Sequence, residues 1–219
     1  MTDHTPDTVS TDTVSGTAVP DPAEAARHRE KMRKRKALQD AEIAARTVEK
    51  GLLMVHTGTG KGKSTAAFGL VLRALGHDVR VGIVQFVKSR DTGERVALQA
   101  FGDRVVWHTA GEGFTWETQD KARDIAACRN AWTLAERLMD DPSIGLLVLD
   151  ELNIALRYDY LPLDEILSRL AARRKELHVV ITGRNAKPAL IEAADLVTEM
   201  TLVKHHFKAG VKTQAGIEY

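Results

Sequence analysis

Apolar residues recur along this chain in two spacings, short unbroken runs and longer stripes at helical intervals, and the two alternate from residue 52 onward. The runs at 52–55, 79–86, 104–108, 144–149 and 178–182 are rich in Val, Ile and Leu and short enough to read as buried strands, and a further short stretch follows at 196–200. Between them, residues 64–75 have helical composition, and 117–139 place Ile125, Cys128, Trp132, Ala135 and Met139 on one helical face. Glu117 and Asp120 stand in the first turn of that helix, where they complement its dipole. Residues 162–174 turn Leu163, Ile166, Leu167 and Leu170 inward, and Pro188 opens another short helix. Trp132 and Met139 are therefore expected in the core. Near-continuous apolar strands separated by helices predict an α/β fold, a mostly parallel sheet with helices on both faces. In such sheets ligands bind beyond the carboxyl ends of the strands.

Upstream of residue 51 this alternation lapses. Residues 1–22 are Thr, Asp, Ser and Pro with almost nothing to bury, which predicts a disordered tail. Residues 23–50 predict a basic helix, with a charged run from Arg27 to Lys36 and a narrow apolar stripe of Leu38, Ala41, Ala45 and Val48. It reads either as a solvated helix or as one whose basic face meets an anionic ligand or a partner subunit. Residues 51–219 form the domain proper. A formal net charge of +1 argues against a broad nucleic-acid surface and in favour of small partners. The one cysteine, Cys128, has no internal disulfide partner and fits a reducing compartment. No apolar run approaches a membrane span, and residues 1–22 lack the hydrophobic centre of a secretory signal, so the expectation is a cytoplasmic protein with no membrane or nucleic-acid partner.

Chemistry enters at the first strand. It runs into Thr57, Gly58, Thr59, Gly60, Lys61, Gly62, Lys63, Ser64 and Thr65, and then into a helical segment. Strand, glycine-rich loop and helix in this order form a triphosphate cradle: glycines turn backbone amides inward, Lys63 adds a mobile positive charge, and Ser64 offers a hydroxyl to Mg²⁺. The helix start turns its partial positive charge toward the same anion. In G-x-x-x-x-G-K-[ST] the first glycine would fall on Thr57, whereas here the glycines stand at 58, 60 and 62.

Strand ends select the remaining candidates. Asp150 and Glu151 directly follow the run at 144–149, where a nucleotide-binding enzyme places the acid that serves its metal. Arg184 follows the run at 178–182 and suits either phosphate recognition or a surface ion pair. Phe114 and Trp116 lie in a glycine-flanked loop, where they either meet a flat apolar ligand or cap the loop by packing. His108 precedes Gly111 in part of the D-x-H-x-x-G pattern that ligates cobalamin, but Val106 stands in the place of the Asp, so His108 reads as structural.

With these residues assembled, the chain resembles the corrinoid adenosyltransferases of cobalamin biosynthesis over residues 27–219. The resemblance rests on the cradle with its offset glycines, Val84-Gln-Phe86, Gly111-Glu-Gly-Phe-Thr-Trp116, Val148-Leu-Asp-Glu-Leu-Asn153, Thr182-Gly-Arg184, Asp195-Leu-Val-Thr-Glu-Met200, Lys204-His205 and Gly216-Ile-Glu-Tyr219. It implies a P-loop NTPase-like, RecA-like fold and a reaction in which a reduced Co(I) corrinoid attacks C5′ of ATP and expels triphosphate. It also implies ATP held by residues 57–65 and Arg184, a metal (Mg²⁺, or Mn²⁺ in its place) served by Ser64, Glu151 and Asp150, and Lys63 stabilising the departing anion. Phe114 and Trp116 would crowd the lower face of the corrinoid, and the basic helix would cover it across a homodimer. A flavin-type reductant would supply Co(I).

Two positions depart from the family pattern. Lys88 is followed by Ser89, Arg90 and Asp91 where the family often has a glycine and a tryptophan, and Thr59 replaces a usual asparagine. The rival expectations are a RecA-like P-loop ATPase or kinase, with Glu151 orienting water or an acceptor, and a non-catalytic ATP-gated module whose basic helix docks a partner.

Overall fold

The computed structural model describes residues 21–87, 92–109 and 120–218. The chain divides between Val48 and Glu49 into two compact units. In the first, helix α1 spans Pro22–Ala44. Asp21 caps it, its side chain accepting from the Ala23 amide at 3.3 Å, and Pro22 supplies the pre-set φ that suits a first turn. Surface pairs support it, Glu30 with Arg33 at 2.8 Å and Lys36 with Asp40 at 2.6 Å. The helix ends sooner than its composition predicts. Ala45 is its C-cap and Val48 lies beyond it, because the β-branched pair Thr47-Val48 disfavours another turn.

The second unit is built on six strands: β1 Leu53–Thr57, β2 Arg80–Gln85, β3 Val105–Thr109, β4 Ile144–Asp150, β5 His178–Thr182 and β6 Leu196–Glu199. They lie in the order β3-β2-β4-β5-β1-β6 and every pairing is parallel. The helices between them are α2 Lys63–Leu75, α3 Gly93–Leu98, α4 Lys121–Asp140, α5 Leu152–Arg157, α6 Leu163–Ala171 and α7 Pro188–Ala193. Successive strand residues point to opposite faces, and both faces are packed. Met54, Val81, Ile83, Leu146, Val148 and Val180 meet Ala67, Phe68 and Val71 of α2 and Leu98 of α3. Leu53, Val55, Val84, Leu147, Leu149, Val179 and Ile181 meet the other face, covered by α4, α5, α6 and α7. Burial on both sides is why the strands read as unbroken apolar runs and not as alternation.

Trp132 and Met139 of α4 are buried, as their spacing predicts. Helix α6 turns Ile166 and Leu170 fully inward, while Leu163 and Leu167 are partly buried at its border. It stops at Ala171, short of the predicted 174, and Arg174 is used elsewhere: its Nε donates to the Met139 carbonyl at 3.0 Å and its Nη2 to that of Asp141 at 2.8 Å. Helices α3 and α5, at six residues each, are too short to show a helical period and were not predicted.

The strand order brings β4, β5 and β1 side by side, so the loops after residues 150, 182 and 57 emerge together. The opposite end of β1 is fastened by Asp195. Its amide donates to the Leu53 carbonyl at 2.8 Å, its Oδ2 accepts from the Leu53 amide at 2.9 Å, and it pairs with Lys50 and, at 3.7 Å, with Arg173. The Lys50 contact and the Leu53 amide hold the Asp195 carboxyl below its ordinary range. A depressed carboxyl contributes stability that is present above its unfolded value, about 3.9, and is lost as pH falls through the lower folded value. Asp195→Asn is therefore expected to lower the urea midpoint near neutral pH, by on the order of 1 kcal/mol for so accessible a group. The gap from wild type should close below pH 4; a gap independent of pH would refute the charge-based account.

Candidate functional site

The cradle forms where β1 ends. Gly58 and Gly62 adopt φ of 96° and 103°, the left-handed region open to glycine, and the loop closes on β6: the Met200 amide donates to the Thr57 carbonyl at 2.9 Å and the Gly60 amide to the Met200 carbonyl at 2.6 Å. A Cβ at Gly58 would lie 2.4 Å from the Met200 carbonyl oxygen and one at Gly60 2.8 Å from it, so the offset glycines at 58 and 60 are demanded by this close approach of backbone to backbone. Gly62 is the N-cap of α2 and offers no side-chain cap, leaving the first-turn amides to face an anion.

Lys63, the first residue of α2, is 8% exposed. Its Nζ donates to the Gly58 carbonyl at 3.0 Å and to that of Gly60. Burial, then the nearby charges of Arg184 and Lys61, lowers its pKa, against the pull of Glu151. A buried ammonium held by neutral carbonyls and crowded by two further cations is relieved by an anion. Arg184, after β5, is exposed and lines the same cavity, and among the described residues it forms no ion pair.

Beneath the cradle lies Asp150, fully buried at the end of β4. Its Oδ1 accepts from Ser64 Oγ and from Thr182 Oγ1, both at 2.7 Å, and its Oδ2 accepts from Gln85 Nε2 at 3.0 Å. Gln85 in turn accepts from Trp107 Nε1 at 3.3 Å. Glu151 follows in a left-handed conformation, φ 64°, with its amide donating to Thr182 Oγ1 at 3.0 Å. That turn brings its side chain to the cavity while Asp150 stays below. Asn153 Nδ2 donates to the Gly183 carbonyl at 3.1 Å, and a Cβ on Gly183 would meet Asn153 at 2.8 Å, so the β5 loop sits tightly on the β4 loop.

A cavity of about 700 Å³ lies above, lined by Gly60, Lys61, Gly62, Lys63, Ser64 and Thr65 from the cradle and by Glu151 and Arg184. Thr57 and Gly58 shape the loop from outside it: Thr57 Oγ1 accepts from the Ala186 amide at 3.1 Å. Thr59 is exposed and also outside the cavity wall. Phe114 and Trp116, like Ser89, Arg90 and Asp91, lie outside the described residues. His108 is partly buried on β3, four strands from β1.

Three contributions were not singled out from the sequence. Gln85 and Thr182 complete the bonding of Asp150; their signal is a polar residue at the end of an otherwise apolar run. Thr92, Gly93, Glu94 and Ala97 at the start of α3 form one wall of the cavity, and Gly216, Ile217 and Glu218 another. The second wall falls in the Gly216-Ile-Glu-Tyr219 block of the resemblance, which assigned it no role, and the start of α3 has no local pattern that reveals it.

The oxygen donors gathered here, the Ser64 hydroxyl and the carboxylates of Asp150 and Glu151, suit a hard cation such as Mg²⁺. Among the described residues no cluster of three or more His, Cys, Asp or Glu side chains forms a stand-alone metal centre. Such an ion would complete its shell with phosphate oxygens and water.

Comparison with known proteins bears on the same residues. Residues 49–219 match the family described as ATP:corrinoid adenosyltransferase BtuR/CobO/CobP, and residues 15–43 match the description Cob(I)alamin adenosyltransferase N terminal. A corrinoid adenosyltransferase of Pseudomonas aeruginosa is 56% identical over 194 residues, spanning 88% of this chain and 96% of the relative. One from a Sinorhizobium species is 49% identical, spanning 96% of this chain and all of the relative. One from Salmonella typhimurium is 45% identical, spanning 88% and 98%.

Gly58→Ala tests the cradle geometry. A methyl group at φ 96° against the Met200 carbonyl is expected to cost about 1–3 kcal/mol, read as a lower melting temperature, and to shrink the stabilisation conferred by added nucleotide. A melting curve and nucleotide response equal to wild type would contradict it.

Proposed function

The chain belongs to the ATP:corrinoid adenosyltransferase family, and from that premise we propose that the cavity over the cradle holds the triphosphate of ATP while C5′ is presented to a reduced corrinoid. The Co(I) electron pair forms the cobalt–carbon bond, the C5′–O bond breaks with its electrons on oxygen, and intact triphosphate leaves. The observation that carries this reading is the convergence of buried Lys63, the uncapped start of α2 and Arg184 on one cavity of about 700 Å³, a volume suited to a nucleotide.

On this reading the chain's work is positioning and electrostatics. The reaction needs no general base, because the nucleophile carries no proton. Lys63 and the loop amides stabilise charge that develops on the leaving phosphate, from positions already fixed before reaction. Mg²⁺, when bound, supplies further charge neutralisation of the triphosphate. Ser64 and Glu151 would hold it, with Asp150 acting through Ser64: both Asp150 oxygens are already engaged and the residue has no exposed surface. Phe114 and Trp116 would contact the corrinoid. A homodimer, a reduced flavin as electron source and a cytoplasmic setting belong to the same reading, and no helix among the described residues is long and apolar enough to cross a membrane.

Anaerobic incubation with MgATP and cob(I)alamin is expected to give a light-sensitive adenosylated corrinoid and equimolar triphosphate. ADP and phosphate with unchanged corrinoid would overturn the reading in favour of phosphoryl transfer. Lys63→Ala should lower kcat/KM by about 10²–10³-fold. Phe114→Ala and Trp116→Ala should impair adenosylation while MgATP binding, read by calorimetry, stays at the wild-type level; normal adenosylation in both would remove their assigned role.

A further inference from the structure

Beside the cradle, the cavity wall formed by Gly216, Ile217 and Glu218 brings a carboxylate to within 3.0 Å of Lys61 Nζ in an anion site. The Glu218 side chain is 9% exposed, and its Oε1 lies 3.0 Å from Lys61 Nζ and 3.0 Å from His206 Nε2. These contacts are ionic and not well-aligned hydrogen bonds, since Oε1, shut off from solvent, has no partner of hydrogen-bonding geometry. The adjacent Lys61, then the charges of His206 and His205, keeps the carboxyl below its ordinary range, so it is ionised at neutral pH. Lys61 stands between Gly60 and left-handed Gly62 in the cradle and keeps its side chain half exposed. It lines both the large cavity and a neighbouring one of about 280 Å³ that also contains Lys204, His205 and His206. The segment itself forms a turn, with the Ile217 and Glu218 amides donating to the Gln214 carbonyl at 3.2 and 3.0 Å.

We propose that Glu218 is an internal counter-anion of the phosphate cradle: it holds Lys61 until a polyphosphate takes that lysine over, and it reclaims Lys61 as the triphosphate product departs. The product side of this statement rests on the adenosyl-transfer reading above. Its chemical logic is release. Triphosphate leaves the reaction intact, with more charge than ATP presents at the same loop, and a cradle of Lys61, Lys63, Arg184 and helix amides would retain it. A carboxylate that competes for one of those cations, through an ion pair whose lysine is half exposed, weakens retention without altering Lys63 or the floor of the site. Lys61 is paired in either state, and Glu218, when Lys61 leaves it, keeps His206 Nε2 at 3.0 Å.

The test is calorimetric binding of inorganic tripolyphosphate with Mg²⁺, which needs neither corrinoid nor turnover. Glu218→Gln is expected to bind tripolyphosphate roughly two- to fivefold more tightly, the range for a partly exposed ion pair. In a Lys61→Gln background the same change should have no effect. In the wild-type protein, amide hydrogen exchange at residues 216–218 should accelerate when tripolyphosphate is added. Unchanged or weaker binding by Glu218→Gln, a gain that persists without Lys61, or slower exchange at 216–218 would each overturn the proposal. Wild-type protein that fails to bind tripolyphosphate would instead overturn the placement of triphosphate in the cradle, and this proposal with it. Adenosyl transfer is assayed separately, so the two failures are distinguishable.

Discussion

The bonding of one buried carboxylate organises the site. Asp150 has no exposed surface, and an ionised carboxylate in such a place is tolerated only if each oxygen is met by a donor. Three such donors come from three segments, Ser64 at the start of α2, Thr182 at the end of β5 and Gln85 at the end of β2, and Gln85 in turn accepts from the Trp107 indole of β3. The carboxylate therefore ties the helix that follows the cradle to the ends of the strands beside it. Removing any one donor would leave part of a buried charge unmet, which is the expensive direction for such a group.

Above that floor the balance of charge runs the other way. Lys61, Lys63 and Arg184 share a cavity wall, and burial first, then the charges of Arg184 and Lys61, lower the pKa of Lys63. The fold accepts this because the backbone supplies the compensation: carbonyls of Gly58 and Gly60 hold the Lys63 ammonium, and Met200 pins the loop that presents them. Negative charge enters the lining from three other segments, as Glu94 at the start of α3, Glu151 after β4 and Glu218 in the last described segment. An anion entering the cavity thus meets fixed positive groups before any chain movement, the condition under which electrostatic catalysis is efficient.

The family resemblance and the geometry meet at the offset glycines. In a sequence pattern, Thr57 in place of the first glycine reads as a defect. In the structure, Thr57 is the last residue of β1 with its hydroxyl accepting from the Ala186 amide, and the requirement for glycine falls on positions 58 and 60, which approach the Met200 backbone too closely for a Cβ.

The chain's own pattern was enough to determine the alternation of strands and helices and the burial of Trp132 and Met139, and it singled out residues 60–65, 151 and 184, which line one cavity. Each of these is a local property, recorded in periodicity or in contiguous residues with a stated physical task. Helices α3 and α5 escaped because six residues do not complete enough turns to show a period, and the end of α1 was misread because composition alone does not mark where a β-branched pair stops a helix. Tertiary structure decided the strand order that sets β4, β5 and β1 side by side, the enlistment of Gln85 and Thr182 around Asp150, and the approach of Glu218 to Lys61. Those contacts join residues far apart along the chain, and no local spacing encodes which distant segments the packing of a sheet will bring together.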